Sequence, residues 1–231
     1  MAKRLNFKEF KWLKLKWIAT GLAAILALSG ITGAIFWFYP VLKVQHIEVQ
    51  GTNHLTVEEV ATASGIQLAE NLLRVDTKAV AINVVKLPWV RVASVSYDLP
   101  NTVNITIEER TPMLFSRNSD GDQLIDTDGE IFVIGEPPAG AIEAVGSAVR
   151  EPAMMARLVN VLNQIPLEPR SAIASVSINN GEDITFNLHD GRTVYWGSDD
   201  NNFDKAKAFS VVLGREGAHW NISNPTLVTV R

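Results

Sequence analysis

The stretch Ile18–Phe38, IATGLAAILALSGITGAIFWF, carries no charged side chain, and no other feature limits the fold as strongly. At ~1.5 Å of rise per residue a helix of this length crosses the ~30 Å hydrocarbon core of a bilayer once. The flank Met1–Trp17 holds Lys3, Arg4, Lys8, Lys11, Lys14 and Lys16 against Glu9 alone, so the positive-inside rule assigns it to the cytoplasm and the long remainder to the outside. A cleaved secretory signal is the competing reading. Against it, the apolar run outlasts an ordinary h-region, ends in Phe36-Trp37-Phe38-Tyr39, and has no A-x-A site near its end, with Ala27-Leu28-Ser29 the least unsuitable place for a cut. The aromatic cluster suits an interfacial belt. Gly30 and Ala34 form a small-xxx-small pair on which another helix could pack, although packing filler explains them as well.

Charge divides the chain at the same place. The whole chain has 21 basic and 25 acidic residues; the flank takes 6 and 1 of them, leaving 15 against 24 and a net −9 beyond the apolar stretch. An acidic outer part lacks the clustered Lys and Arg that phosphate neutralisation needs, so nucleic acid is not an expected partner. The basic flank suits the anionic headgroups of a lipid bilayer. With no cysteine, the chain has neither a disulfide nor a thiolate metal site.

After Pro40, Val44–Gln50 places Ile47 and Val49 on either side of Glu48 in strand alternation, ended by Gly51. Thr56 with Glu59 three residues on is a capping-box pattern, which predicts a short helix over Val57–Ala63 stopped by Gly65. Asp76 precedes Ala79, Val80, Val84 and Leu87, a helical stripe closed by Pro88. Two strands are expected next. Val90–Asp98 alternates through Val95 and Tyr97 against Ser94 and Ser96, and Thr102–Glu109 puts Val103, Ile105 and Ile107 on one face, with Leu99-Pro100-Asn101 as the turn.

In this strand, helix, helix, strand, strand order, VQHIEVQGTNHLTVEEV and LPWVRVASVSYDLPNTVNITIEERTP resemble the POTRA domain of the FtsQ/DivIB family of bacterial cell-division proteins. Leu87-Pro88-Trp89-Val90, the Pro100 turn and Glu109-Arg110-x-Pro112 are the most specific parts. The resemblance implies a basic cytoplasmic tail and one transmembrane helix directly before this module. POTRA domains of outer-membrane assembly and secretion machinery usually stand in tandem ahead of a membrane β-barrel. The sequence contains no second copy and no barrel-like run of strands.

From Pro112 onward there is length for one further small domain. Short strands are expected at Gln123–Asp126 and Glu130–Ile134 around the turn Thr127-Asp128-Gly129, while Gly135–Arg150, rich in Gly, Pro and Ala, reads as loop and edge structure. Pro152 suits the start of a helix that buries Met155, Leu158, Leu162 and Ile165, up to Pro166. Ala174, Val176 and Ile178, then Ile184, Phe186 and Leu188, alternate with polar residues, and Asp190-Gly191 is a two-residue hairpin turn into Thr193–Trp196. Phe203, Ala206, Phe209 and Leu213 mark a final helix, and Thr226–Arg231 is rich in β-formers.

LIDTDGEIF and DGRTVYWGSDDNNFDKAKAF resemble the β domain of the same family, and HWNISNPTLVTVR is most similar to its actinobacterial branch. Asn221 stands where that branch commonly has an acid, and the extended tail of proteobacterial members is missing, so contacts on that tail are not carried over. The expected fold class is α+β: a single N-terminal transmembrane helix, a β-α-α-β-β POTRA domain, and a mixed α/β domain with a mainly antiparallel sheet. The expected divisions are a basic tail at 1–17, the membrane helix at 18–38, the POTRA domain at 44–110 and the β domain at 111–231.

No catalytic constellation emerges from the residues. Asp120, Asp122, Asp126 and Asp128 flank glycine turns and miss the EF-hand spacing, so turn chemistry explains them. His46, His54, His189 and His219 form no H-E-x-x-H and no close pair. His189-Asp190 has no G-x-S-x-G companion, and Ser147 lies in a loop-like stretch. Neither an enzyme, a metal nor a cofactor is expected.

Binding by surfaces remains. An edge strand offers unpaired N–H and C=O groups to a partner segment. The resemblance implies that the end of the β domain receives FtsB/DivIC, itself paired with FtsL, alongside other divisome membrane proteins. In this sequence that points to Thr226, Leu227, Val228, Thr229 and Val230, with Thr193, Tyr195 and Trp196 on the neighbouring hairpin strand. Completion of the core sheet explains Leu227, Val228 and Val230 equally well. Trp89 and Tyr97 of the POTRA stretch could serve as exposed anchors, and helix and strand packing explains both as well. The resemblance thus implies a non-enzymatic, single-pass type II scaffold in the plasma membrane at the division septum. A single-pass POTRA component of protein export or assembly is the alternative.

Overall fold

The computed structural model describes residues 7–38, 42–178 and 183–231. Lys3, Arg4, Tyr39 and Pro40, assigned above to the basic flank and its far border, lie outside the described residues. Helix α1, Phe7–Phe38, begins well upstream of the apolar stretch. Its window Trp17–Ala34 is long and apolar enough to cross a membrane once, and none of it is buried by the rest of the chain. Leu22, Ile25, Leu26, Leu28 and Ile31 all stand exposed. A helix apolar on every side has no face suited to water.

The chain beyond α1 forms parts of two compact units, divided between Glu108 and Glu109. In the first, β1 (His46–Gln50), α2 (Val57–Ser64), a 3-10 turn at Leu72–Arg74, α3 (Thr77–Val84), β2 (Val90–Asp98) and β3 (Thr102–Glu109) follow in order. The helix starts are written in the sequence. The Thr56 hydroxyl accepts the Glu59 N–H while the Glu59 carboxylate accepts the Thr56 N–H at 2.8 Å, and Gly65 ends α2 in the left-handed region. Asp76 Oδ1 accepts the N–H groups of Lys78 and Ala79 at 3.0 and 3.1 Å to start α3.

The sheet order is β1-β3-β2, with β1 parallel to β3 through Ile47↔Val103 and Val49↔Ile105. Val103, Ile105 and Ile107 of the central strand close over Val44, Val60, Leu72, Val80, Val84 and Val90. Gly51, at φ +88°, lets β1 leave this sheet, because a Cβ there would run into the Ile107 carbonyl oxygen. Tyr97 is partly exposed, yet its hydroxyl donates to the Val75 carbonyl.

The second unit carries β4 (Pro112–Asn118), β5 (Gly121–Asp126), β6 (Ile131–Ile134), β7 (Ile142–Val145), α4 (Pro152–Gln164), α5 (Leu167–Arg170), β8 (Ile173–Ile178), β9 (Ile184–Leu188), β10 (Thr193–Gly197), α6 (Asn202–Leu213), β11 (His219–Asn221) and β12 (Thr229–Val230). They make one nine-stranded sheet in the order β12-β11-β10-β9-β8-β7-β4-β5-β6. Most pairings are antiparallel; β4·β7, β7·β8 and β10·β11 are parallel. Met155, Leu158, Leu162 and Ile165 are buried as their spacing predicts, packed with Phe186, Trp196 and Phe209 into one core. Asp126 is fully buried at the end of β5, where it accepts the N–H groups of Asp128 and Glu130 at 2.9 Å and pairs with Arg110.

One expectation for this unit is corrected, and the final helix forms with a different inner face from its apolar spacing. Gly135–Arg150 is not loop and edge: β7 lies in the middle of the sheet, with Ile142 and Ala144 buried and Glu143 paired with Arg117 of β4. Four residues with a single large apolar side chain on the inner face leave too little alternation to be read. The last helix does not bury Phe203, which is exposed with the Lys207 ammonium 3.9 Å from its ring centroid. Its inner face is Lys205, Ala206, Phe209 and Val212. Lys205 is fully buried because its ammonium reaches the Ser198 carbonyl at 2.9 Å and Asp200 at 2.8 Å.

Candidate partner-binding edge

The candidate site is the β12 end of the nine-stranded sheet, and a β-α-β turn of chain builds it. β10 runs into α6, and α6 returns the chain to β11, parallel to β10 in the register Thr193↔His219, Val194↔Trp220 and Tyr195↔Asn221. At the start of β10, the Asp190 carboxylate accepts the Arg192 N–H at 3.0 Å and pairs with its guanidinium. That guanidinium also donates to the carbonyls of Val212, Leu213 and Arg215, so it caps the C-terminal end of α6 and aims the chain at β11.

Asparagines shape the link to β12. Asn221 Oδ1 accepts the N–H and hydroxyl of Ser223, and Asn224 Oδ1 accepts the N–H and hydroxyl of Thr226. β12 then pairs antiparallel with β11, Trp220↔Val230 and Asn221↔Thr229. His219 and Arg231 exchange both backbone bonds, at 3.0 and 2.9 Å. Alternation along an antiparallel ladder therefore turns the N–H and C=O of Val230 away from β11, toward the open side of the sheet.

The same registers sort the side chains. Val194, Trp220 and Val230 form a row on the core face, and Tyr195, Asn221 and Thr229 a row on the outer face. Gly217, at φ +142°, leaves space for Val230 beside the Trp220 ring, since a Cβ there would collide with the Val230 side chain. The Trp220 indole N–H is buried with no hydrogen-bond partner among the described residues. Burial, followed by the Asp183 carboxylate, raises the Tyr195 phenol above its ordinary value.

Family models match most of the chain beyond α1: the FtsQ-type POTRA domain over residues 42–110, and the C-terminal region of cell division protein FtsQ/DivIB over residues 114–225. A cell division protein FtsQ of Corynebacterium glutamicum is 41% identical over 219 residues, covering 94% of this chain and 99% of the relative. The chain belongs to the FtsQ/DivIB family of cell division proteins. A relative named FtsQ from Mycobacteroides abscessus is 34% identical, covering 91% of this chain and 68% of its own. One from Streptomyces bingchenggensis is 28% identical, covering 92% and 84%. These place the chain in the actinobacterial branch of the family, and α1 fits a single-pass membrane protein.

Within this FtsQ-type β domain the residues singled out from sequence separate. Thr226, Leu227, Thr229 and Val230 are exposed, and Val228 is half-buried against the core. β10 is not the neighbour of the terminal segment, because β11, unread in the sequence, stands between them. Thr193 and Tyr195 are half-buried one strand further in, and Thr193 Oγ1 lies 2.8 Å from His219 Nδ1. Trp196 has no exposed surface; it meets Phe186 edge-on and donates its indole N–H to Asn202 Oδ1 at 3.1 Å, so it belongs to the core. His219 and Asn221 join the candidate surface instead. Their strand, His-Trp-Asn, is too short to show a period. Asn221 supplies, with a neutral oxygen, the acceptor that an acid would provide.

The carboxylates of this region make the domain sensitive to acid. The Lys205 ammonium, then the Ser198 hydroxyl, lowers Asp200 from 3.8 to about 2. Hydrogen bonds from Arg157 lower Asp199, and the Arg192 N–H lowers Asp190. A depressed folded-state value means that the stabilisation is complete above the unfolded value of 3.8 and drains away as pH falls toward 2. Melting temperatures measured down this range are expected to fall, and Asp200→Asn is expected to flatten the fall.

Proposed function

We propose that this chain is a membrane-anchored scaffold of the division machinery, with its N-terminus in the cytoplasm and the chain beyond α1 outside, that joins cytoplasmic division components to septal wall synthesis. It acts by binding FtsB/DivIC-type and FtsL-type proteins and has no catalytic step of its own. The observation that carries this reading is the edge at β12, whose outward Val230 N–H and C=O can accept a further strand. The exposed side chains of Leu227 and Thr229 would then select that strand. Confinement to a membrane helps such weak contacts cooperate, because linked sites raise effective concentration.

Val230→Pro tests it with little damage to the fold. Proline removes an N–H that faces away from β11 and is tolerated at such a position on an edge strand. Capture of the FtsB/DivIC-type partner by the full-length variant is expected to be lost, while hydrogen exchange of the β11 amides stays as in the parent. Unchanged capture would remove the edge-strand mechanism. Chained, undivided cells on depletion support the division role, whereas normal septation with an export defect would favour the alternative given above.

A further inference from the structure

The segment Gln67–Arg74 in the first compact unit has an unusual composition for its place. Gln67 to Glu70 form a tight turn, closed by the Glu70 N–H donating to the Gln67 carbonyl at 3.3 Å, and the two central residues are Leu68 and Ala69. Ala69 has φ +69°, a position that glycine or asparagine normally fills because a Cβ is strained there. Leu68 is 65% exposed, and Leu73 on the same segment is exposed as well. Turns facing water are ordinarily built from small polar residues. An apolar pair on a strained turn suits an apolar neighbour.

Backbone hydrogen bonds decide where this turn sits. Val44 N–H donates to the Glu70 carbonyl at 3.0 Å, Ala69 N–H to the Val44 carbonyl at 2.8 Å, and Leu72 N–H to the Leu42 carbonyl at 2.9 Å. Lys43 and Asn71 bridge between them. The turn is thus clipped to Leu42–Val44, the first described residues after α1, which ends at Phe38. The chain from Phe38 to Leu42, extended at up to ~3.6 Å per residue, reaches about 14 Å at most. Lys43, exposed within the clip, adds a cation, and the Glu70 carboxylate is turned onto the Gln67 N–H at 2.9 Å.

We propose that Gln67–Arg74 docks on the lipid bilayer at the end of α1, with Leu68 and Leu73 among the acyl chains just below the headgroups and Lys43 at the lipid phosphates. This rests on the reading of α1 as a bilayer-spanning helix.

The absence of cysteine from the chain makes a direct test possible. Leu68→Cys, Leu73→Cys and, as a control on an exposed position of β2, Ser94→Cys are each labelled with an environment-sensitive fluorophore. The full-length proteins are then reconstituted in phosphatidylglycerol–phosphatidylcholine vesicles with or without spin-labelled lipid. Labels at Leu68 and Leu73 are expected to emit to the blue of the Ser94 label and to lose intensity with spin-labelled lipid, while the Ser94 label does neither. If labels at Leu68 and Leu73 match the control while protein stays in the vesicles through an alkaline carbonate wash, the docking is overturned and the spanning helix stands. A blue shift without quenching also overturns it, since a protein segment would then be the cover. Release by carbonate would overturn the spanning reading and the docking with it.

Discussion

Alanine at Trp196 is expected to destabilise the Glu109–Arg231 unit by about 3–5 kcal/mol, the usual range for truncating a fully buried large aromatic. Trp196 has no exposed surface, packs edge-on against Phe186 at a centroid distance of 5.4 Å, and holds Asn202 through its indole N–H. The loss therefore combines transfer free energy, a cavity between β9, β10 and α6, and an abandoned side-chain amide. Against a typical total of about 5–15 kcal/mol it removes a large share. Urea unfolding of the full-length protein in detergent, followed by hydrogen exchange in β9 and β10, measures it. Leu227→Ala, at a residue 69% exposed, is expected to leave the same midpoint within error. Equal effects of the two substitutions would contradict the assignment of Trp196 to the core and Leu227 to the surface.

Asp126→Ala is expected to cost a similar amount, about 3–5 kcal/mol, by a different route. The Asp126 carboxylate is fully buried; one oxygen accepts the N–H groups of Asp128 and Glu130, and the other pairs with Arg110. Its removal leaves two amides and a largely buried guanidinium without their acceptor, and groups stranded in this way account for most of the loss. Arg110→Ala is expected to be milder, because the two amide donors still satisfy the carboxylate. Urea midpoints of the three proteins check the order, and limited proteolysis at the Thr127–Glu130 turn checks its place. The pair also gives a physical reason for the Arg110 of the Glu109-Arg110-x-Pro112 motif.

The first compact unit was legible because its signals are local. A capping box at Thr56 and Glu59, an aspartate cap at Asp76, and three inward β-branched residues in β3 each lie within one element, and each element formed as its own residues dictate. The second unit was legible only in part. Its antiparallel hairpins showed through alternation and the Asp190-Gly191 turn. β7 and β11 do not show in this way: β7 lies between two parallel neighbours distant in the chain, and β11 has three residues, paired to β10 across the whole of α6, so nothing in IEAV or HWN records a partner. Phe203 marks α6 without joining its buried face, because a buried lysine, satisfied by a carbonyl and a carboxylate, takes a place there that hydrophobic spacing reserves for apolar residues. At the edge, β-propensity located the terminal strand. The strand between it and β10 decided which side chains share its surface, and that order exists only in the assembled sheet.

The two ends of the nine-stranded sheet bear on how such a molecule avoids its own copies. β6 exposes Ile131 and Ile134, which on a long flat strand would invite edge-to-edge aggregation. Here the strand has four residues, its pairing with β5 is interrupted by a bulge, and Glu136-Pro137-Pro138 follows one residue beyond it. Each of these devices blunts an edge. β12 is protected by brevity instead, since its two residues offer a second copy too few hydrogen bonds to hold a β-ladder. On the scaffold reading proposed above, a segment bringing further contacts of its own would escape this limit, and crowding would then favour mixed pairs over fibres of identical chains.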